Sequence, residues 1–329
     1  MTETPPSPFS NGNPHLRFAW DATSLDCFLR DPLAYYWQYV LGYQSTEPKP
    51  PLTFGKVVHS ALEQWDKARL AGKSKNEALY AALDHGLELA KEPEPDLFPG
   101  WTLDDIAANG KRLDAKKRGS RSMVRLLVWY AEEYEDDDYE VVLLPSGEPA
   151  VEVSFAWPLG IKTPYGEDYL VCGHLDGLAR HRREGHVVVR ERKHTVTTLG
   201  PWYFQGFKPN TQINTYSVVG QLVLPDQDTQ GVLVEAAQCA VEFHRFDREW
   251  IRRTVGLNDE WLNVMRYHIK RAEALAESGD WYMAHNPMGA QVYGGGPFRE
   301  MVIRDPAVRE QFLATNYERT TPWNPLDLR

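Results

Sequence analysis

Two carboxylates and an amine stand out in the middle of the chain: Asp176 and, fifteen positions later, Glu191 followed by Lys193. Carboxylate oxygens are the preferred ligands of hard divalent cations. An amine held beside such a cation can position or polarise a nucleophilic water. If 187–195 is a strand, its side chains alternate, and Val187, Val189, Glu191 and Lys193 share one face. A carboxylate and an amine on the face of core valines are costly to bury without partners. Asp176, on the facing strand, is the obvious partner, and the three residues make a candidate metal centre.

The stretch Tyr169 to Thr195 has the pattern of a hairpin able to hold them. Val171, Leu175 and Leu178 give the first strand its apolar character, with Gly173 and Gly177 as candidate bulges. Arg182-Arg183-Glu184-Gly185 is a polar turn ending in the residue best suited to a positive φ. Three consecutive valines then open a buried second strand.

Around the hairpin, helices are expected before it and further strands on both sides. A cap at Thr23 or Ser24 starts a helix that stops near Asp31-Pro32, and a short aromatic helix with Tyr35, Tyr36, Trp37 and Tyr39 ends at Gly42. Residues 45–51 have the composition of a linker. Residues 53–72 form a confident helix with Val58, Leu62 and Trp65 in one stripe and His59 beside it. By periodicity alone His59 is more simply a core or surface residue than a ligand. Helices are also expected over 74–91 and 103–135, the latter interrupted near Gly119. Its first half carries Lys111, Arg112, Lys116, Lys117, Arg118, Arg121 and Arg125. That run reads equally as a phosphate-binding face or as a solvated face balanced by the acids of 132–140. Strands follow at 141–144 and 150–157, then the hairpin, an aromatic loop at 200–206 and a helix at 209–223. A strand pair at 231–246, a long helix at 247–278 and an irregular tail complete the chain. The expected division is a flexible lead-in over 1–14, a mainly helical part over 15–138, a core over 139–280 and a tail over 281–329 packing on the core. The fold class is α/β, a mixed central sheet flanked by helices with an N-terminal helical addition.

Composition is that of an ordinary globular protein, 42% apolar and 25% charged over 329 residues. No run is long enough to span a membrane and none resembles a signal peptide. The three cysteines, Cys27, Cys172 and Cys239, form no pair at metal-ligand spacing, so a reduced, cytoplasmic setting is expected. A formal charge of −10 argues against a basic coat for nucleic acid, though not against a local basic groove. Eleven tryptophans and sixteen tyrosines leave rings to spare for base stacking.

Asp176 followed by Glu191-Arg192-Lys193 resembles the signature of the PD-(D/E)XK nuclease superfamily, with Leu175 in place of the usual proline. Two further segments resemble its RecB-like exonuclease branch. Upstream, FGKVVHSALEQW matches the G-x-x-x-H-x-x-L-E segment with Gly55, His59, Leu62 and Glu63. Downstream, QINTYSVV matches the Q-x-x-x-Y helix with Gln212 and Tyr216. The resemblance implies a restriction-endonuclease-like core in which His59, Asp176, Glu191 and the backbone carbonyl of Arg192 bind one or two Mg²⁺ or Mn²⁺ ions. It implies that Asp176, Glu191 and Lys193 are catalytic, with Lys193 orienting or activating the attacking water and stabilising charge on the phosphate. Gln212 and Tyr216 would support the site and contact DNA. Glu152, one strand before Asp176, would be an accessory metal or water contact, and Lys116, Lys117 and Arg118 would meet the DNA backbone.

The departures are equally specific. Iron–sulfur members of the branch carry a cysteine where Asp31 stands, and cysteines in a tail resembling 286–302, which here has none. Four thiolates are what such a cluster needs, so none is expected. No GxxxxGK[ST] motif occurs, so no nucleotide cofactor or ATP-driven motor is expected. The implied activity is a standalone, metal-dependent DNA exonuclease of phage or bacterial kind. It would work on DNA ends or single strands in recombination, repair or phage genome processing. A recombinase, helicase or single-strand-binding protein is a conceivable partner, and no membrane is involved. The alternatives are a structure-selective or loosely specific endonuclease and, in another class, a non-catalytic DNA-binding or assembly subunit.

Overall fold

A computed structural model describes residues 7–45, 50–91, 119–239, 244–286 and 298–327. In chain order the strands are β1 (Phe9–Ser10), β2 (Asn13–Arg17), β3 (Ala19–Trp20), β4 (Tyr43–Ser45), β5 (Tyr139–Val141), β6 (Val151–Lys162), β7 (Asp168–His181), β8 (Val187–Thr195), β9 (Thr229–Cys239), β10 (His244–Ile251) and β11 (Tyr317–Arg319). The helices are α1 (Ala22–Arg30), α2 (Pro32–Tyr35), α3 (Pro50–Leu70), α4 (Lys75–Leu89), α5 (Ser120–Glu133), α6 (Pro201–Gln205), α7 (Thr211–Val223), α8 (Val255–Ser278), α9 (Arg299–Val302) and α10 (Pro306–Asn316). The fold is mixed α/β, with a mixed sheet flanked by helices.

The chain divides into two compact units. One comprises Pro48–Val153 and Leu175–Thr254 and contains the candidate metal centre. Its sheet runs β10-β9-β8-β7, antiparallel at β10/β9 and β8/β7 but parallel at β8/β9, and β5 pairs antiparallel with β7. The parallel step requires a crossover, supplied by α6 and α7. Alternation along β8 sends its two side-chain rows to different helices. Arg190 and Arg192 meet Asp66 of α3, while Val189 packs under Gly220 of α7. A Cβ on Gly220 would lie 2.5 Å from Val189 Cγ2, so only glycine lets α7 approach β8 this closely. The apolar side chains of α3, α4 and α5 form their own buried cluster, including Phe54, Val58, Leu62, Trp65, Leu126 and Tyr130.

The other unit comprises Met1–Glu47, Ser154–His174 and Val255–Arg329. Its interior is aromatic: Trp20 stacks on Tyr35 with centroids 4.8 Å apart, and Tyr36 stacks on Trp281 at 4.9 Å. Buried Asp31 fastens distant parts of this unit. Its carboxylate accepts from Leu33 N at the start of α2, from Asn286 N at 3.1 Å, and lies 3.0 Å from His285 Nδ1. Asn286 Nδ2 in turn donates to the carbonyl of Arg30.

Several local expectations are corrected. The cap of α1 is Asp21, with Ser24 as the third helical residue closing a capping box. Helix α3 begins at Pro50, inside the expected linker, because proline is well suited to a first helical turn. The aromatics Trp202, Tyr203 and Phe204 lie on the short helix α6 and not on a loop. Trp250 and Ile251 belong to β10, paired with Leu233 and Val232, so the long helix starts only at Val255. The lead-in contains the β1–β2 pair, and the tail holds α10, capped by Asp305, and β11, which pairs with β4. Lys111, Arg112 and Lys116 to Arg118 lie outside the described residues, as does most of 286–302.

Candidate metal centre

His59 reaches the centre from α3, Glu152 from β6, Asp176 from β7, Glu191 and Lys193 from β8, and Gln212 and Tyr216 from α7. One ligand atom from each of His59, Glu152 and Asp176 lies within 4.8 Å of the other two. Asp176 is held from both sides: Oδ1 is 3.4 Å from His59 Nδ1, and Oδ2 accepts the backbone N–H of Arg192 at 2.7 Å. Glu152 has φ +50, a left-handed backbone conformation unusual for a residue with a side chain. Such strain persists only where the surroundings impose it, and it concentrates at functional sites.

Glu191 sits deeper, with 2% of its surface exposed. One carboxylate oxygen lies 2.5 Å from Lys193 Nζ; the other, Oε2, is buried without a hydrogen-bond partner among the described residues. The Lys193 amine also donates to Gln212 Oε1 at 2.8 Å, and Gln212 Nε2 donates to the Tyr216 hydroxyl at 3.2 Å. The two residues one helical turn apart on α7 therefore hold the amine of Lys193 on β8. The register of α7 matters here, and Gly220 sets its distance from β8.

The electrostatics follow from crowding. Burial and the neighbouring Asp176 push the Glu191 carboxyl up to about 7, against the opposing pull of Lys193. Burial would raise Asp176 too, but the charge and hydrogen bond of His59 and the Arg192 N–H hold it below the usual carboxylate range. Burial would lower the His59 imidazole, and Asp176 reverses this and raises it. For Lys193 burial is likewise overcome, mainly by Glu191, so the amine keeps its proton at neutral pH. A buried carboxyl whose proton affinity is raised by burial and by a second carboxylate, an acid-rich donor set and one orphaned buried oxygen fit a divalent cation.

Of the segments singled out in the sequence, Leu62 is a buried core residue and Glu63 pairs with Lys67 one turn along α3. Two neighbours of the centre were not anticipated. The ring of His194 meets that of His59 edge-on at 5.1 Å, and Tyr203 lies near enough to Lys193 to influence its charge. The position of His194 immediately after Lys193 was the available signal; Tyr203 offered none, because α6 was not expected.

The family model of the PD-(D/E)XK nuclease superfamily matches residues 19–286, most of the chain. The chain belongs to the PD-(D/E)XK nuclease superfamily. Among solved structures, a "Putative exonuclease" from Eubacterium rectale aligns over 82% of this chain and 84% of its own, with 13% identity and a TM-score of 0.43. A protein named SSO0001 aligns over 78% and 95%, with 10% identity and a TM-score of 0.27. No curated protein matches. As a superfamily member this chain is a nuclease, a hydrolase acting on nucleic acid. Among the described residues no helix is long and apolar enough to cross a membrane.

Proposed function

We propose that this nuclease is a metal-dependent deoxyribonuclease, a standalone RecB-like exonuclease acting on DNA ends or single strands in recombination, repair or phage genome processing. The observation that carries the reading is the pairing of Lys193 with Glu191 beside the His59, Glu152 and Asp176 group. His59, Glu152, Asp176 and Glu191 would hold one or two Mg²⁺ or Mn²⁺ ions, with the Arg192 carbonyl completing the set. A divalent cation bound there supplies Lewis-acid charge at the phosphate and makes a water more acidic.

Lys193, protonated and fixed by Glu191 and Gln212, serves as a hydrogen-bond donor that orients the attacking water and stabilises charge on the phosphate. Gln212 and Tyr216 keep the amine in place and line the approach of the DNA. Lys116, Lys117 and Arg118 attract its backbone. In domain terms, 139–280 would form the nuclease core, 15–138 the helical addition carrying His59, and 281–329 a tail on the core.

Glu152 takes a larger part in this reading than the motif alone gives it. Glu152→Gln is expected to weaken Mn²⁺ binding by about tenfold, read by isothermal titration calorimetry. Unchanged affinity would remove Glu152 from the ligand set and leave its strained backbone a purely structural feature.

The activity is tested by incubating end-labelled single- and double-stranded linear DNA beside a closed circle, with Mg²⁺ or Mn²⁺ and with EDTA. Degradation of linear DNA with the circle spared, and none in EDTA, is the expected result. Nicking of the circle would replace the exonuclease with an endonuclease. Intact DNA in every lane would leave only a non-catalytic DNA-binding or assembly subunit.

A further inference from the structure

On the same unit, the start of α7 and the end of β10 border a cleft of about 550 Å³, lined by Phe207, Lys208, Pro209, Asn214 and Trp250 to Arg253. This volume lies within the range that accepts a ligand of nucleotide size. In a chain of net charge −10 the lining holds three cations and, among the described residues, no carboxylate. Lys208 is paired with Glu249, which leaves Arg252 as the cation of the lining with no ion pair among the described residues.

The cleft contains a prepared flat surface. Trp250 is stacked on His186, with centroids 4.1 Å apart and planes 6° from parallel, and its indole N–H is tied to the carbonyl of Gln230 at 2.7 Å. On Trp250 lies the guanidinium of Arg252, 3.9 Å from the ring centroid. Burial holds His186 below its ordinary value, so the column beneath Arg252 is uncharged at neutral pH. Among the described residues the Arg252 guanidinium makes no hydrogen bond or ion pair, although the residue is exposed. A guanidinium seated over an indole and engaged by no carboxylate can stack a second ring and offer its N–H donors to phosphate oxygens. Arg253, by contrast, is spent on the fold: it donates to Asn214 of α7 at 2.7 Å.

The cleft is also connected to the catalytic strand. Tyr203 of α6, close to Lys193, packs edge-on against Phe207 at 5.5 Å, and Phe207 lines the cleft. Aromatic side chains thus lead from the amine of Lys193 to the cationic shelf.

We propose that this cleft is a single-strand subsite, where a DNA base stacks on the Arg252 guanidinium while the cationic lining of the cleft attracts the flanking phosphates. It rests on the nuclease reading and adds to it where the strand goes after leaving the metal centre. The substrate is single-stranded because a paired base has both faces covered by its neighbours and offers none to a guanidinium.

The test is fluorescence anisotropy, in EDTA so that nothing is cleaved, with a labelled oligothymidylate of about 12 nucleotides and the matching blunt duplex. Arg252→Ala is expected to weaken binding of the single strand about tenfold and that of the duplex much less. Arg183→Ala, which removes an exposed charge elsewhere, is expected to stay within about twofold of wild type. Arg252→Lys should keep the salt dependence of binding without recovering the affinity. Wild-type affinity in Arg252→Ala, or equal losses on single strand and duplex, would overturn the proposal. The two readings fail separately. A wild-type protein that binds through Arg252 but cleaves no DNA keeps the subsite and loses the nuclease; one that cleaves DNA with affinity indifferent to Arg252 does the reverse.

Discussion

Lys193→Ala is expected to lower the rate of DNA cleavage by about 10³-fold, the size of effect seen when one preorganised donor is removed from a reacting centre. DNA affinity should stay within about twofold, because the cations proposed to attract the phosphates are other residues. The Lys193 side chain is 28% exposed and its amine makes two polar contacts, 2.5 Å to Glu191 and 2.8 Å to Gln212, so its loss removes a polar group and not core packing. Single-turnover cleavage in saturating Mg²⁺, beside anisotropy in EDTA, separates the two. Full activity in the purified variant would overturn the assignment of Lys193. Gln212→Ala tests the same geometry one step away: it leaves the amine present but loosely held, and its loss of rate should be the smaller one.

The second large effect lies on the other face of β8. Glu235 of β9 is buried among three arginines: its Oε2 lies 2.5 Å from Arg190 Nε, without hydrogen-bond alignment, and 3.5 Å from Arg192 Nε. Arg248 also donates to it. Asp66 and Asp137 complete the network from α3 and from the turn before β5. Glu235→Gln keeps the shape and leaves two buried guanidiniums and the half-buried one of Arg248 short of one countercharge. Breaking a buried pair in this way costs about 3–5 kcal/mol, to be read from urea unfolding at pH 7.

The pH dependence has a definite sign. Burial opposes ionisation, but Arg190, Arg248 and Arg192 together hold the Glu235 carboxyl at about 2, below its ordinary value of 4.5. Between these values the unfolded chain binds the extra proton. The stabilisation is complete above pH 4.5, shrinks as the pH falls and is gone below about 2. The gap in stability between wild type and Glu235→Gln should therefore narrow on going from pH 7 to pH 3. A gap that stays constant would show that the carboxylate charge is not what the arginines require.

The hairpin was legible because its information is local. Period-two alternation from Val187 to Lys193 needs only neighbouring residues, and Gly185, with φ +78, occupies the turn position its type demands. The link from that hairpin to His59, Gln212 and Tyr216 came from matching motifs; periodicity would have left His59 an ordinary helix residue. What could not be read depends on contacts between distant positions. Nothing in the sequence pairs Arg190 and Arg192 with Asp66, which lies 124 and 126 residues away. The backbone of Glu152, which turns its carboxylate toward His59 and Asp176, has no sequence signal in a run of alternating apolar residues. Trp250 and Ile251 misled because tryptophan and isoleucine satisfy a strand and a helical stripe alike. The two compact units are each assembled from separate pieces of chain, and no composition shift marks where β6 and β7 pass from one to the other.

Asp31 joins α2 to His285 and Asn286 through a carboxylate and its hydrogen bonds. Fastenings of this kind contain no atom that oxygen can oxidise and no ion that EDTA can extract. Burial, then Asp31 and Asp21, push the nearby Cys27 thiol up to about 12, so it keeps its proton at neutral pH. Neither exposure to air nor treatment with a chelator therefore removes a partner from these contacts of Asp31.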